Sequence, residues 1–92
     1  MPAVDLIRER LQTLDPLVLE IGDESHLHKG HAGNTGGGHY AVLVVSRHFE
    51  GASRLNRQKT VKSLLKDLFS DGIIHALGIR VAAPDEYFHT AD

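Results

Sequence analysis

The sequence contains no cysteine, and this absence limits the available chemistry. Disulfide bonds, a thiolate nucleophile and sulfur ligands for a metal are all excluded for this chain on its own. No run approaches the roughly 18 apolar residues of a membrane helix. The first residues also lack the basic flank and apolar stretch of a signal peptide. We therefore predict a cytoplasmic protein that does not enter a membrane.

Net charge and chain length limit the possible functions and the number of domains. The net charge of -2 at pH 7 argues against a protein built mainly for nonspecific nucleic-acid binding, which would be clearly basic. A chain of 92 residues with 41% hydrophobic and 24% charged residues has the composition of one small globular unit. We predict a single domain over residues 1–92 and make no prediction about homo-oligomers.

Hydrophobic periodicity predicts the order helix, strand, strand, helix, strand and a short terminal helix after Pro84. A right-handed crossover through the second helix sets the third strand parallel to the second, and the first two strands pair antiparallel. We predict an α+β fold in which helices cover one face of a three-stranded sheet. The predicted helices are 3–14 and 54–69, the strands are 17–22, 39–45 and 73–81, and a long glycine-rich loop spans 23–38.

Seven histidines make up the most unusual part of the composition. His75 is the most informative, because it lies among apolar residues, and alternation places it on one face with Leu77, Ile79 and Val81. Neutral imidazole is a common metal ligand. A core histidine bonded to the backbone is the competing interpretation. Further candidates in or beside the predicted loop are His26, His28, His31 and His39.

Two other site types are disfavoured by the same residues. The four candidate histidines of the loop would make an all-imidazole structural zinc site, but such sites are unusual and the spacing fits no established pattern. Asp23, Ser25 and either His26 or His28 are the residue types of a hydrolytic triad, yet neighbouring positions on a loop do not fix a nucleophile against a base. We therefore do not predict an enzyme.

Several short motifs occur in order along nearly the whole chain. They are Leu19-Glu20-Ile21, Asp23-Glu24-Ser25, His28, His39-Tyr40, Ser46, Phe49, Gly51, Leu55, Arg57, Val61 and His75-Ala76-Leu77 followed by Ile79. Together these motifs resemble the BolA-like protein family. The resemblance implies a fold similar to class II KH domains, with the order αββαβ and a short C-terminal helix. The chain departs from the family pattern at Gln58, where histidine is usual, and at Lys59 and Lys62.

The resemblance implies an adaptor or regulator that forms a heterodimer with a monothiol glutaredoxin. The pair would share a [2Fe-2S] cluster, with sulfur from a glutaredoxin cysteine and from glutathione, and with two imidazoles from this chain. His75 and His28 are the expected ligands, with His26, His31 and His39 as alternates. No cofactor is expected in the isolated chain.

The resemblance also implies an alternative, a DNA-binding transcriptional role in stress response or morphology that uses the basic helix 54–69. Lys59, Lys62 and Lys66 form a basic stripe on that helix, and with Arg57 they make a candidate partner or nucleic-acid surface. Helical projection places Arg57 in the apolar stripe instead. We expect its head group to turn toward the helix start or a loop carbonyl.

Overall fold

The computed structural model of the chain describes residues 1–28 and 37–89. Its regular elements follow the predicted order, with short 3-10 turns at Gln12–Leu14, Ser25–His28 and Arg47–Phe49. No helix within these two ranges is long and apolar enough to cross a membrane. The elements are α1 (Ala3–Leu11), β1 (Val18–Asp23), β2 (Gly38–Val45), α2 (Arg54–Leu64), α3 (Lys66–Ser70), β3 (Ile74–Ala82) and α4 (Pro84–Tyr87).

The sheet has the order β1-β2-β3, with β2 in the centre. β1 pairs antiparallel with β2, and β2 pairs parallel with β3, so the predicted strand directions are confirmed. The central position explains why β2 is rich in valine on both faces, since neither face of a central strand is fully open to water.

The core lies between one face of the sheet and helices α1 to α3. Val42 and Val44 of β2 face this core together with Leu19 of β1, which pairs with Val44. The helices contribute fully buried side chains that sit at helical spacing, which accounts for the apolar stripes in the sequence. These side chains are Ile7 and Leu11 from α1, Val61 from α2 and Leu68 from α3.

The helix predicted over 54–69 is two helices. The chain turns at Leu65, whose φ of -104° and ψ of 7° leave the helical region. The turn buries Leu65 completely, and the preceding Val61 and the following Leu68 both reach the core. Periodicity alone predicts one helix, because the apolar stripe continues across the turn without a proline or glycine to mark it.

Candidate functional site

His75 is exposed, and the prediction that it shares a face with Leu77, Ile79 and Val81 is wrong. Those three residues pack against the core, and the residue that joins them there is Ile74, which is 2% exposed. Strict alternation would have placed Ile74 on the opposite face. The interpretation of His75 as a buried core histidine therefore fails.

A register shift between β2 and β3 causes this reversal. Gly38 pairs with Ile74, but the next residue of β2, His39, pairs with Ala76. β3 thus holds one extra residue, His75, opposite the Gly38–His39 step. An extra residue of this kind interrupts alternation and changes where neighbouring side chains point. It leaves Ile74 in the core and brings His75 out to solvent at the start of β3.

The His75 ring lies beside the ring of His39 at this shift. The two ring centroids are 5.2 Å apart and the ring planes are tilted by 47°. The backbone of His39 is held on both sides, because its N–H donates to Ser25 Oγ at 3.0 Å and its carbonyl oxygen accepts from the Glu24 N–H at 2.7 Å. The structure therefore brings together the first predicted ligand and one of its alternates.

Two glycines before His39 fit closely against this site. A Cβ atom on Gly37 would lie 2.9 Å from the Cβ of His75 and 3.0 Å from the carbonyl oxygen of Gly72, which is too near for a side chain. A Cβ atom on Gly38 would overlap the ring of Tyr40. Gly38, predicted to end the loop, therefore begins β2, and Gly37 packs against the start of β3 beside His75.

Of the other predicted ligands, the structure describes only the side chain of His26. His26 is exposed in the turn Ser25–His28, whereas the His28 side chain and His31 lie outside what the structure describes. Among the described residues, no group of three or more histidine, aspartate or glutamate side chains converges on one point.

Asp23 and Ser25 shape the backbone where β1 ends. The Ser25 N–H donates to Asp23 Oδ1 at 3.0 Å, and the hydrogen bonds from the Ser25 backbone and side chain hold the pKa of Asp23 below its usual value. Ser25 Oγ also accepts from the His39 N–H. The serine thus joins two backbone segments and positions His39, which is a structural use of the residues that could have suggested a hydrolytic triad.

A second feature is a groove between the outer side of α2 and the edge strand β3. It consists of two adjoining cavities of about 340 and 500 Å³ that share Arg54 and Gln58. Leu55 is 62% exposed on its rim, where it lies among Arg54, Lys59 and Lys62. We call this feature the basic groove; it is defined by Arg54, Leu55, Gln58, Lys59, Lys62 and Arg80.

Arg57 also contacts the groove, but its head group is occupied. Its Nε donates to the Ala52 carbonyl oxygen at 3.0 Å, which confirms the expected turn toward a loop carbonyl. Its two terminal nitrogens donate to the Glu86 carboxylate at 2.6 and 3.1 Å. The guanidinium and the Ala83 N–H lower the pKa of Glu86 from 4.5 to about 2. Arg57 thus ties α4 to α2.

Lys66 does not line the groove, because it begins α3 after the turn at Leu65. Its neighbour Asp67 forms an ion pair with Arg10 of α1 at 2.8 Å, and this guanidinium lowers the pKa of Asp67. The predicted surface of Arg57, Lys59, Lys62 and Lys66 therefore divides into two groove lysines, one paired arginine and one lysine elsewhere.

Sequence reasoning missed four residues of the basic groove, namely Arg54, Leu55, Gln58 and Arg80. Arg54 and Leu55 begin α2, and Arg80 reaches the groove from β3. An exposed leucine beside basic residues at the first turn of a helix is a signal that could have found the first two. Arg80 could not be found in this way, because its place depends on how β3 packs against α2.

A family model described as BolA-like protein matches residues 11–86 of the chain. The chain belongs to the BolA-like protein family. The match spans the histidine pair and the basic groove, so both features lie inside the part that this chain shares with its family.

Relatives of this BolA-like chain differ greatly in length. SufE-like protein 1, chloroplastic/mitochondrial, from Arabidopsis thaliana is 39% identical over 87 residues, which are 87% of this chain and 23% of that protein. An uncharacterized protein from Sinorhizobium sp is 38% identical over 90 residues, covering 94% of this chain and 96% of the relative. The chain thus spans about a quarter of the plant relative and nearly all of the other.

The fold agrees with solved BolA structures. BolA1 from Arabidopsis thaliana has a TM-score of 0.80 with this chain at 34% identity, and the match covers 94% of this chain and 96% of that one. The predicted α+β fold with a three-stranded sheet is therefore confirmed. The name of the plant SufE-like relative places that protein in organelles, and the cytoplasmic location expected for this chain stays a prediction.

Proposed function

We propose that this BolA-like chain is an adaptor that pairs with a monothiol glutaredoxin and shares a glutathione-ligated [2Fe-2S] cluster with it. The observation that carries the proposal is His75, an exposed imidazole at a register shift inside a rigid sheet. The chain has no cysteine, so it can offer a cluster no thiolate ligand. Its role would be in cluster assembly, trafficking or iron sensing.

The imidazoles near the starts of β2 and β3 are suitable ligands for the iron of such a cluster. His75 is the first ligand in the proposal and His28 the second, with His39 as the alternate that already lies beside His75. Two imidazoles in place of two thiolates make a cluster less negative and raise its reduction potential. The remaining iron positions would take sulfur from the glutaredoxin and from glutathione.

The basic groove is the proposed docking surface for the glutaredoxin. Lys59, Lys62, Arg54 and Arg80 give it positive charge on a chain whose net charge is -2. Leu55 adds an exposed apolar contact among these cations. Such a surface suits an acidic partner segment that carries an apolar side chain, because charge guides the encounter and apolar burial slows dissociation.

The relatives support the coarser part of the proposal. A BolA-like segment occurs in a plant protein named SufE-like protein 1, which supports a role related to iron–sulfur clusters. We infer an adaptor and not an enzyme, because Asp23 and Ser25, the residues that could have suggested a hydrolytic triad, hold backbone segments in place. Ser25, the nucleophile of the hypothetical triad, is engaged by Asp23 and by the backbone of His39.

The test is a titration of this chain into a cluster-loaded monothiol glutaredoxin with glutathione, followed by visible absorption and circular dichroism. We expect a new spectrum that saturates at one chain per glutaredoxin. The spectrum should be lost with His75→Ala and weakened with His28→Ala. His48→Ala is the matched control, because His48 is also exposed but lies beyond the other end of β2.

An unchanged spectrum at every ratio would contradict the proposal. Equal effects of His75→Ala and His48→Ala would also contradict it, because His75 would then be no more important for cluster binding than a distant histidine. DNA binding by the basic helix stays a prediction and would become the leading hypothesis in either case. No aromatic side chain lines the described groove to stack on bases, which favours the protein partner.

A further inference from the structure

We propose that His39 and His75 form a two-histidine site for a single divalent transition-metal ion, such as Zn²⁺ or Cu²⁺, in the isolated chain. The site requires neither a glutaredoxin nor an iron–sulfur cluster, so it does not rest on the function proposed above. Such a metal site differs from the expectation, made from the family resemblance, that the isolated chain carries no cofactor. The observation behind it is the placement of the two rings on neighbouring strands.

The spacing of the rings fits one shared ion. Metal–nitrogen bonds of about 2.0–2.1 Å place each imidazole centroid about 3 Å from the ion, so two ligands in tetrahedral geometry have centroids about 5 Å apart. The centroids of His39 and His75 are 5.2 Å apart. The observed separation therefore matches that of two imidazole ligands on one ion.

The backbone around both histidines is fixed before any ion arrives. His39 is held by bonds to Ser25 and Glu24, and Gly37 packs against the Cβ of His75. Two donors held in place bind an ion more tightly than either alone, because the second bond forms at a high effective concentration of ligand. The two rings thus lie beside each other on strands whose backbone is already paired.

The pair also indicates which ions the site takes. Imidazole nitrogen suits zinc, copper and nickel, whereas calcium and magnesium prefer oxygen ligands. Across divalent ions the order of affinity at nitrogen sites rises to a maximum at Cu²⁺. No third histidine, aspartate or glutamate converges on the pair within the described ranges, so the remaining coordination positions are left for water or an external ligand.

The test is a calorimetric titration of Cu²⁺ and of Zn²⁺ into the isolated chain, with electron paramagnetic resonance of the copper form. We expect one high-affinity equivalent whose spectrum carries the splitting of two imidazole nitrogens. His39→Ala and His75→Ala should each weaken this equivalent about tenfold or more and reduce the splitting to that of one nitrogen. His48→Ala should change neither, and Mg²⁺ should give no heat.

A second set of variants separates the pair from the neighbouring histidines. Removing His26, His28 and His31 together should leave the high-affinity equivalent in place. If that triple variant loses the ion while His39→Ala and His75→Ala keep it within about threefold, the proposal is overturned. Far-ultraviolet circular dichroism of each variant shows that it is folded, and His39→Gln replaces His39→Ala if the alanine variant does not fold.

The two proposals can fail separately. Loss of metal binding by the isolated chain would overturn the two-histidine site and leave cluster sharing with a glutaredoxin unaffected. Normal metal binding with no spectral change in the glutaredoxin titration would overturn the shared cluster instead.

Discussion

The histidine pair and the basic groove are two sites built in opposite ways. At the pair, the backbone does the positioning: β3 has one extra residue, glycines pack closely, and His39 is bonded through its own peptide groups. At the groove, long exposed side chains project from α2 and from the edge of β3. The backbone therefore determines the geometry of the pair, whereas the groove is defined mainly by its positive charge.

This difference teaches which changes each site will tolerate. A methyl group added at Gly37 or Gly38 would collide with its neighbours and disturb the packing beside the pair. The same change at the groove has little effect, since its side chains are solvated and can rearrange. Added salt and charge reversal should weaken the exposed interactions at the groove. They should have little effect on the backbone packing beside the histidine pair.

The largest effect is expected for Gly38→Ala. Its new Cβ would overlap the ring of Tyr40, a core residue that is 8% exposed, so the ring must move. We expect the free energy of unfolding to fall by about 1–3 kcal/mol in urea denaturation. Gly22→Ala is the control, because its nearest neighbour would be 3.9 Å away. Equal losses in both variants would show that the close fit at Gly38 has no importance.

Charge reversal in the groove is expected to have the next largest effect. The double variant K59E/K62E should weaken binding to the glutaredoxin about tenfold, or about 1.4 kcal/mol, and most strongly at low salt. Calorimetry at two salt concentrations measures this. K66E is the matched control because Lys66 lies outside the groove. The docking proposal fails if K66E weakens binding as much as the double variant does.

The dependence of stability on pH tests the ion pair that Arg57 forms with Glu86 next to the groove. The pKa of Glu86 is lowered from 4.5 to about 2 by Arg57, so the folded state releases this proton more readily than the unfolded state. Its contribution to stability is complete above about pH 5 and is lost as the pH falls toward 2. We expect Glu86→Gln to flatten the fall in melting temperature over this range. An identical acid profile would contradict the ion pair.

The smallest effect on stability is expected for His75→Ala. His75 is exposed and its neighbours Ile74 and Ala76 keep their backbone pairing, so the free energy of unfolding should change by no more than about 0.5 kcal/mol. Thermal and urea unfolding measure it. A loss of several kcal/mol would mean that His75 holds the sheet together, and the register shift would then be a structural feature alone.

The strand order and directions could be predicted from the sequence because they depend on apolar periodicity and on crossover handedness. The valines of β2 show its central place, and the stripe of α2 marks its buried face. The same periodicity also predicts that Arg57 leaves the lysine face, and its bond to Ala52 confirms this. These features follow from regular spacing, which is what sequence patterns record best.

The site itself was less predictable, because it depends on departures from regular spacing. A one-residue register shift reverses the face of His75, and alternation cannot anticipate it. Gly37 could have been a signal, since a glycine before a strand often allows close backbone approach. The basic groove depends on tertiary packing that brings Arg80 to Arg54, and the helix break at Leu65 separates Lys66 from the other two lysines.

The most direct test of the shared cluster is to observe its ligand nitrogens. Chain carrying isotope-labelled histidine would be mixed with unlabelled, cluster-loaded glutaredoxin, and the reduced cluster examined by pulsed electron paramagnetic resonance. We predict nitrogen couplings that change with the label and that are lost with His75→Ala but kept with His48→Ala. Couplings that do not respond to the label would show that no histidine of this chain binds the iron, and would contradict the central claim.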